Sequence, residues 1–258
     1  MRVGVIGGGG GVANSLEAAN IEVVGCAAGG QTVDAGMESV GSYIEFLEAL
    51  DYPRRYVLDL PAGPVVDSVI DEAYQTMEPG DVVIDPTPSY WGDTLRRYRR
   101  MRHRSLFYQD VACFGRPAGP ALIVSGDAKG LPLSQDVLEA WAKPGTLEPV
   151  AGAGFAHYLA MIEAAAELAK RGVDSEMAQL VEAYPGEVSP EAKAAFCPPK
   201  GLAGIGRAGW VLDDAVRLEA AIPLLAQALM QALGDSLDDY ASSPPPPRGA
   251  FVHPDEIL

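Results

Sequence analysis

Of the ionisable side chains on the largely apolar stretch GAGFAHYLAMIEAAAELAK, which also carries Glu163 and Lys170, His157 and Glu167 draw attention by their spacing. A helix advances about 100° per residue, so His157, Ala160, Ala164 and Glu167 share one face. An imidazole and a carboxylate facing one space are the components of acid–base catalysis. Between them this sequence places only methyl groups. Both residues also have a plainer use: a histidine here can be a core or interface group bonded to backbone, and a glutamate a rim group reaching water.

A second set sits at the start. The run RVGVI leads into Gly7, Gly8, Gly9, Gly10 and Gly11, and then into the helical pattern VANSLEAAN. Strand, glycines, helix is the context in which backbone N–H groups and a helix N-terminus hold a diphosphate. Two registers fit. Gly8, Gly10 and Ala13 read as GxGxxA, while Gly7 and Gly9 read as GxGxxG with Val12 in the third place. A turn without a ligand is the alternative. The ribose end of the pattern is missing, because VVGCAAGGQT has no charge between Glu22 and Asp34. It offers neither the acid that binds a ribose diol nor the arginine that takes a 2′-phosphate.

Other chemistry is set aside by composition. Cys26, Cys113 and Cys197 are odd in number and far apart, which argues against a disulfide framework and fits a reducing, cytoplasmic setting. Cys113 reads as a small buried hydrophobe or, less simply, a nucleophile near the end of a strand. No metal set is expected, since Asp213 and Asp214 have no histidine nearby. A formal charge of −16 disfavours a nucleic-acid partner. The basic cluster RRYRRMRHR reads as a solvated helix end. No apolar run of about 18 residues stands out, and the start lacks the pattern of a signal peptide.

The elements that must position these groups follow from periodicity. RVGVI, IEVVGCAA, RYVLDL, GDVVIDP, SLFYQDVA and ALIVSGD read as strands. YIEFLEALD, GPVVDSVIDEAYQTM, the stretch near Trp91 to Arg102 and that near Ser134 to Trp141 read as helices between them. This alternation predicts an α/β, doubly wound Rossmann-type N-terminal domain over residues 1–148. From Ala153 onward the pattern is helical only, at about 153–171, 175–184, 189–196, 211–219 and 221–239. An all-helical C-terminal domain is therefore expected over 149–240. Four prolines at 244–247 then mark 241–258 as an extended tail projecting from the last helix.

Several segments in order resemble the 6-phosphogluconate dehydrogenase and β-hydroxyacid dehydrogenase family. They are VLDLPAGPVVDSVIDEAYQTMEPGDVVIDPTPSYWGD, GAGFAHYLAMIEAAAE, GRAGWVLDDAVRLEAAIPLLAQALMQAL and RGAFVHP. The resemblance implies that Leu60, Pro61 and Ala62, with the glycine loop, line a site for NADP or NAD, unless that binding has been lost. It implies that Glu167 is the glutamate that protonates the enediol and that His157 is the neighbouring histidine. The lysine that deprotonates the sugar hydroxyl falls on Ala160, and an asparagine on Ala164.

Further family positions differ. A serine-glycine-glycine motif falls on Phe114, Gly115 and Arg116, beside Cys113. In the glycine-glycine-asparagine-serine motif the asparagine falls on Pro88, while Ser89 and Tyr90 remain. The tail keeps Arg248, Phe251 and His253, of which the arginine and histidine hold the sugar phosphate in the family, often across subunits. General-base catalysis contributes about 10²–10⁴-fold, and an alanine cannot accept a proton. The expectation is an NAD(P)-binding oxidoreductase with altered acid–base residues, acting on a small acid or sugar acid and assembled as a homodimer. A pseudoenzyme that binds a metabolite or partner protein, and non-redox proton transfer or decarboxylation through Glu167, are the alternatives.

Overall fold

The computed structural model describes residues 1–8, 10–34, 36–115, 119–183, 205–234 and 248–249. The chain divides into two compact units. One holds Met1–Ala160 with the tail residues Arg248 and Gly249; the other holds the described residues between Met161 and Pro246.

The first unit is an eight-stranded sheet in the order β3-β2-β1-β4-β5-β6-β7-β8. Its strands are β1 (Arg2–Gly7), β2 (Glu22–Cys26), β3 (Glu38–Val40), β4 (Arg55–Asp59), β5 (Val82–Asp85), β6 (Phe107–Phe114), β7 (Ala121–Gly126) and β8 (Thr146–Pro149). β1 to β6 are parallel, and β7 turns back antiparallel on β6 before β8 pairs parallel with β7. The order 3-2-1-4-5-6 is that of dinucleotide-binding sheets, with the direction of winding reversing between β1 and β4.

Strand side chains alternate between faces, and each face has its own core. Val3, Val5, Val57, Val82 and Ile84 point to one side, where α1 (Gly10–Ala18) and α5 (Leu131–Ala142) supply Leu16, Val137, Leu138 and Trp141. Ile6, Tyr56, Leu58 and Val83 point to the other. There α2 (Tyr43–Ala49), α3 (Pro64–Ala73) and α4 (Trp91–Arg102) supply Phe46, Val66, Ile70 and Met101. Helices on both faces make this a doubly wound α/β unit, with an all-helical region after it.

The structure adds to these expectations and changes some of them. β3 and β8 join the sheet, and β7 breaks its parallel run. The separate helices at 153–171 and 175–184 are one helix, α6 (Phe155–Ala183), which runs through Gly172 because one glycine costs only about 1 kcal/mol in a helix. α7 (Ile205–Arg217) starts before the expected 211, and α8 is Pro223–Gly234. The expected helix at 189–196 and the proline run at 244–247 lie outside the described residues.

In the second unit α7 and α8 pack on each other and bury Trp210 and Leu229. Val216, Leu224 and Met230 remain exposed. No helix among the described residues is long and apolar enough to cross a membrane.

Candidate functional site

The glycine loop follows β1 at the reversal point of the sheet. Gly7 has a φ of +117°, and a Cβ there would collide with the Asp59 carbonyl oxygen on the neighbouring strand. This close approach makes Gly7 the tight-turn glycine, which favours the register Gly7, Gly9 and Val12. Ala13, the third residue of the other register, is 2% exposed in the core. Gly8 donates its N–H to Asp59 O at 3.3 Å, and its own carbonyl accepts from Asp34 N at 3.1 Å.

The described residues fit a diphosphate here. α1 begins at Gly10 with no acidic residue in its own first turn, and the carboxylate nearest to Gly8 is that of Asp59, with Oδ2 3.4 Å from where a Gly8 Cβ would lie. A Cβ on Gly11 would meet nothing within 4 Å, which leaves the backbone open to close approach. Leu60 borders this loop, being 3.2 Å from where a Gly7 Cβ would lie and 3.0 Å from that of Gly29. Leu60 is buried, Pro61 exposed and Ala62 half-buried. Gly9 lies outside the described residues.

Farther along the strand ends, a polar network surrounds Ser89. Arg97, buried at 3% exposure, holds Asp67 with Nε and Nη2 at 2.8 and 2.9 Å and donates from Nη1 to Ser89 Oγ at 2.7 Å. Thr87 gives its hydroxyl proton to Asp85 Oδ1 at 2.5 Å, so the 2.8 Å contact with Ser89 is a bond that Ser89 donates. Asp85 Oδ2 accepts from the Tyr108 hydroxyl. Burial first, and the Asp85 carboxylate second, push the Tyr108 hydroxyl well above its ordinary range. The Ser89 proton is therefore spent inside the protein. Sequence reasoning set Arg97 among solvated charges; it is buried because Asp67 and Ser89 satisfy its fork.

His157 belongs to the same region, and both its ring nitrogens are engaged. Nε2 lies 2.9 Å from the carbonyl oxygen of Asp85, which can only accept, so Nε2 carries the proton. Nδ1 then accepts from the Thr94 hydroxyl at 2.7 Å. The ring is 2% exposed. Of the two roles open to His157, this is the geometry of the core histidine bonded to backbone.

The helix that carries it is anchored by a residue that sequence reasoning missed. Asp110, fully buried on β6, accepts from Gly154 N at 2.9 Å, Ala156 N at 3.1 Å and His157 N at 3.3 Å. Ser125 donates to the same carboxylate at 2.6 Å. The carboxylate fills the N–H groups that the first turn of α6 leaves open and opposes the positive end of its dipole. An acid in the middle of the apolar run FYQDVACF was the available signal.

The remaining expected residues each have their own surroundings. Ala160 packs with Ala112, Phe114 and Ala156. Glu167 falls in the second unit, exposed, with Lys170 Nζ 2.5 Å from its Oε1. Cys113 is exposed on β6 rather than the small buried hydrophobe expected, and partial desolvation of its sulfur by the surrounding protein raises the thiol above its ordinary range. Arg248 lies 4.6 Å over the Tyr90 ring, and Gly249 N donates to Asp93 Oδ1 at 3.0 Å. These two tail residues return to the start of α4; His253 lies outside the described residues. Among the described residues no three His, Cys, Asp or Glu side chains could hold a metal. A cavity of about 630 Å³ runs beside α4, lined by Trp91, Leu95, Tyr98, Arg102, Asp127 and Lys129, and none of the expected residues borders it.

Residues 2–172 match the family model of the NAD binding domain of 6-phosphogluconate dehydrogenase. The chain belongs to that family. Among relatives, the decarboxylating 6-phosphogluconate dehydrogenase of Bacillus licheniformis is 29% identical over 164 residues, 60% of this chain and 33% of that protein. That of Treponema pallidum is 32% identical over 130 residues, 47% of this chain and 27% of that protein. The chain thus spans a third or less of the length of these curated relatives.

Solved structures extend the likeness of fold. The 3-hydroxyisobutyrate dehydrogenase of Mycobacterium tuberculosis, solved with L-serine, superposes with a TM-score of 0.69 at 17% identity, covering 92% of this chain and 94% of that one. The Plasmodium falciparum 6-phosphogluconate dehydrogenase, solved apo and with NADP+ and with 6-phosphogluconate, also gives 0.69. It is 13% identical and covers 99% of this chain and 67% of that one.

Proposed function

We propose that the chain is an NAD(P)-binding, dehydrogenase-like oxidoreductase of the 6-phosphogluconate and β-hydroxyacid dehydrogenase type whose proton-transfer residues are altered. When bound, the nicotinamide supplies a hydride acceptor. The chain supplies the glycine turn at Gly7, the open first turn of α1 and the Leu60 wall. What it does not supply is a proton acceptor at Ala160. The observation that carries this reading is His157: its Nε2 proton points at the Asp85 carbonyl and its Nδ1 lone pair is filled by Thr94. It can take a substrate proton only by breaking one of those bonds.

Oxidation of 6-phosphogluconate at the rate of an intact site is therefore not its reaction, and a small β-hydroxyacid is the substrate class to test. The family resemblance makes Glu167 the candidate acid, and within the first unit Ser89, Tyr90 and Arg248 would shape the acid-binding end. The quench of tryptophan fluorescence by NADH and NADPH tests the first half; no quench by either dinucleotide removes the reading. Reduction of NAD+ or NADP+ by a panel of 3-hydroxy acids tests the second.

A pseudoenzyme that retains binding is the second reading, favoured by the committed state of both His157 and Ser89. Binding without turnover across the panel selects it. Exposed Val216, Leu224 and Met230 support a homodimer that covers them, which light scattering over a range of concentrations tests. The separated thiols Cys26 and Cys113 support a cytoplasmic setting.

A further inference from the structure

We infer that the turn Ala28–Gln31 is a latch lying across the crevice of the dinucleotide site, and that it must lift before the adenosine half of a dinucleotide can enter. The inference rests on the proposed dinucleotide site and adds a gate to it.

β2 ends at Cys26, and the sequence AAGGQ follows. Gln31 donates its N–H to Ala28 O at 3.0 Å and closes a turn. Gly29 has a φ of +61° and Gly30 of +77°, the two left-handed residues that a type I′ turn demands. The turn does not stay above its own strand. A Cβ on Gly29 would lie 2.9 Å from Val65 Cγ2, 3.0 Å from Leu60 Cδ2 and 3.4 Å from Val69 Cγ2. Leu60 follows β4, and Val65 and Val69 belong to α3. β1 lies between β2 and β4 in the sheet, so the turn spans two strand spacings, about 10 Å, over the carboxyl end of β1. Ala28 packs beside it on the same core. A side chain at position 29 would collide with Val65, which gives Gly29 a use besides its φ.

A dinucleotide needs this same ground. With its diphosphate on the loop after β1 and its ribose at the end of β2, the adenosine half lies along that edge of the sheet. A purine between two walls needs them roughly 7 Å apart, one van der Waals contact of about 3.5–4.0 Å on each face. The Gly29 backbone instead rests directly on α3. The turn is lightly held there, by one glycine and one alanine, and its own hydrogen bond moves with it. Beyond it the chain is fastened. Val33 packs over Gly25, whose Cβ would lie 2.5 Å from Val33 Cγ1, and Asp34 donates its N–H to Gly8 O at 3.1 Å. The turn can therefore swing between fixed points at Cys26 and Val33, with its two glycines absorbing the change. A diphosphate alone needs no such movement, because a Cβ on Gly11 would meet nothing within 4 Å.

The test locks the turn. Val65 Cβ is one C–C bond from Cγ2, so it lies at most about 4.4 Å from a Gly29 Cβ, within disulfide reach. The full chain with Gly29→Cys and Val65→Cys, and with Cys26→Ala, Cys113→Ala and Cys197→Ala to remove other thiols, is titrated reduced and oxidised with NADH, ADP and pyrophosphate. The oxidised form is expected to bind NADH and ADP roughly tenfold or more weakly than the reduced form, and pyrophosphate equally. Val65 is half-buried, so Val65→Ala is expected to fold, to loosen the latch and to tighten NADH about threefold with pyrophosphate unchanged. Three results overturn the inference and leave the dinucleotide site standing. They are a bond that leaves NADH unweakened or weakens pyrophosphate equally, a cysteine pair that forms no bond while NADH binds, and a Val65→Ala chain that binds NADH no better. Failure of both the reduced pair and the parent chain to bind NADH overturns both.

Discussion

His157 Nε2 lies 2.9 Å from the carbonyl oxygen of Asp85, and its Nδ1 2.7 Å from the hydroxyl of Thr94. One imidazole thus ties the end of β5 and the first turns of α4 to α6. A residue used this way holds the fold together through both of its ring nitrogens. His157→Leu is expected to cost about 2–3 kcal/mol in urea unfolding, since it takes the imidazole donor from the buried Asp85 carbonyl and leaves the Thr94 hydroxyl only its long 3.4 Å bond to Tyr90 O. Thr94→Val should cost about 1 kcal/mol, and the double variant less than the sum of the two. Full additivity would show that the two side chains do not interact.

Asp110 carries the start of the same helix. Asp110→Ala strips the carboxylate from the N–H groups of Gly154 and His157, while Ala156 N–H keeps its 2.9 Å bond to Ser125 Oγ, and is expected to cost about 2–4 kcal/mol. Asp110→Asn keeps one acceptor oxygen and should cost about half as much. Amide exchange in the first turn of α6 should quicken in both, ahead of any change in β1 or β4.

Tyr108 sets a pH dependence. Its hydroxyl is held protonated in the folded protein by burial and by Asp85, while in the unfolded chain it ionises near the ordinary tyrosine value of about 10. The folded state's pKa is the higher one. Its contribution is therefore fully present below pH 10 and is lost as pH rises beyond it. Urea titrations between pH 8 and 11 should show stability falling above 10 in the parent chain and falling less in Tyr108→Phe. Equal slopes would mean that Tyr108 ionises freely in the fold.

Cys113 should be a slow nucleophile. Burial raises its thiol, so little thiolate exists at neutral pH, and no described bond links it to His157. Alkylation at pH 7 is expected to be slower than that of a free thiol and to speed up above pH 9, with Cys113→Ser identifying the signal. Fast labelling at pH 7 would reveal an activated cysteine.

The sheet was legible because its strands are β-branched runs buried on both faces, so RVGVI and GDVVIDP declare themselves without partners. ESV and TLEP do not. They are three and four residues long, carry little apolar surface and become strands only by pairing with β2 and β7. The join across Gly172 was hidden for the opposite reason: local propensity argued for a break that the helix overrides. At the site, the glycine turn could be read from residue types, and the alanine at position 160, where the family carries a lysine, only through the resemblance. The engagement of His157 could not, because Asp85 and Thr94 lie far back in the chain and meet it only after the sheet has formed. Arg97 was hidden in a run of arginines whose other members gave no reason to single it out.

The central proposal is that, among the described residues, no group stands in for a base at Ala160. The measurement is NAD+ and NADP+ reduction with saturating 6-phosphogluconate by the parent chain and by His157→Gln, after each has been shown to fold and to bind dinucleotide. The account predicts no reduction above background in either. Turnover in the parent that His157→Gln abolishes would show that this imidazole leaves Asp85 and Thr94 to take the proton, and would contradict it.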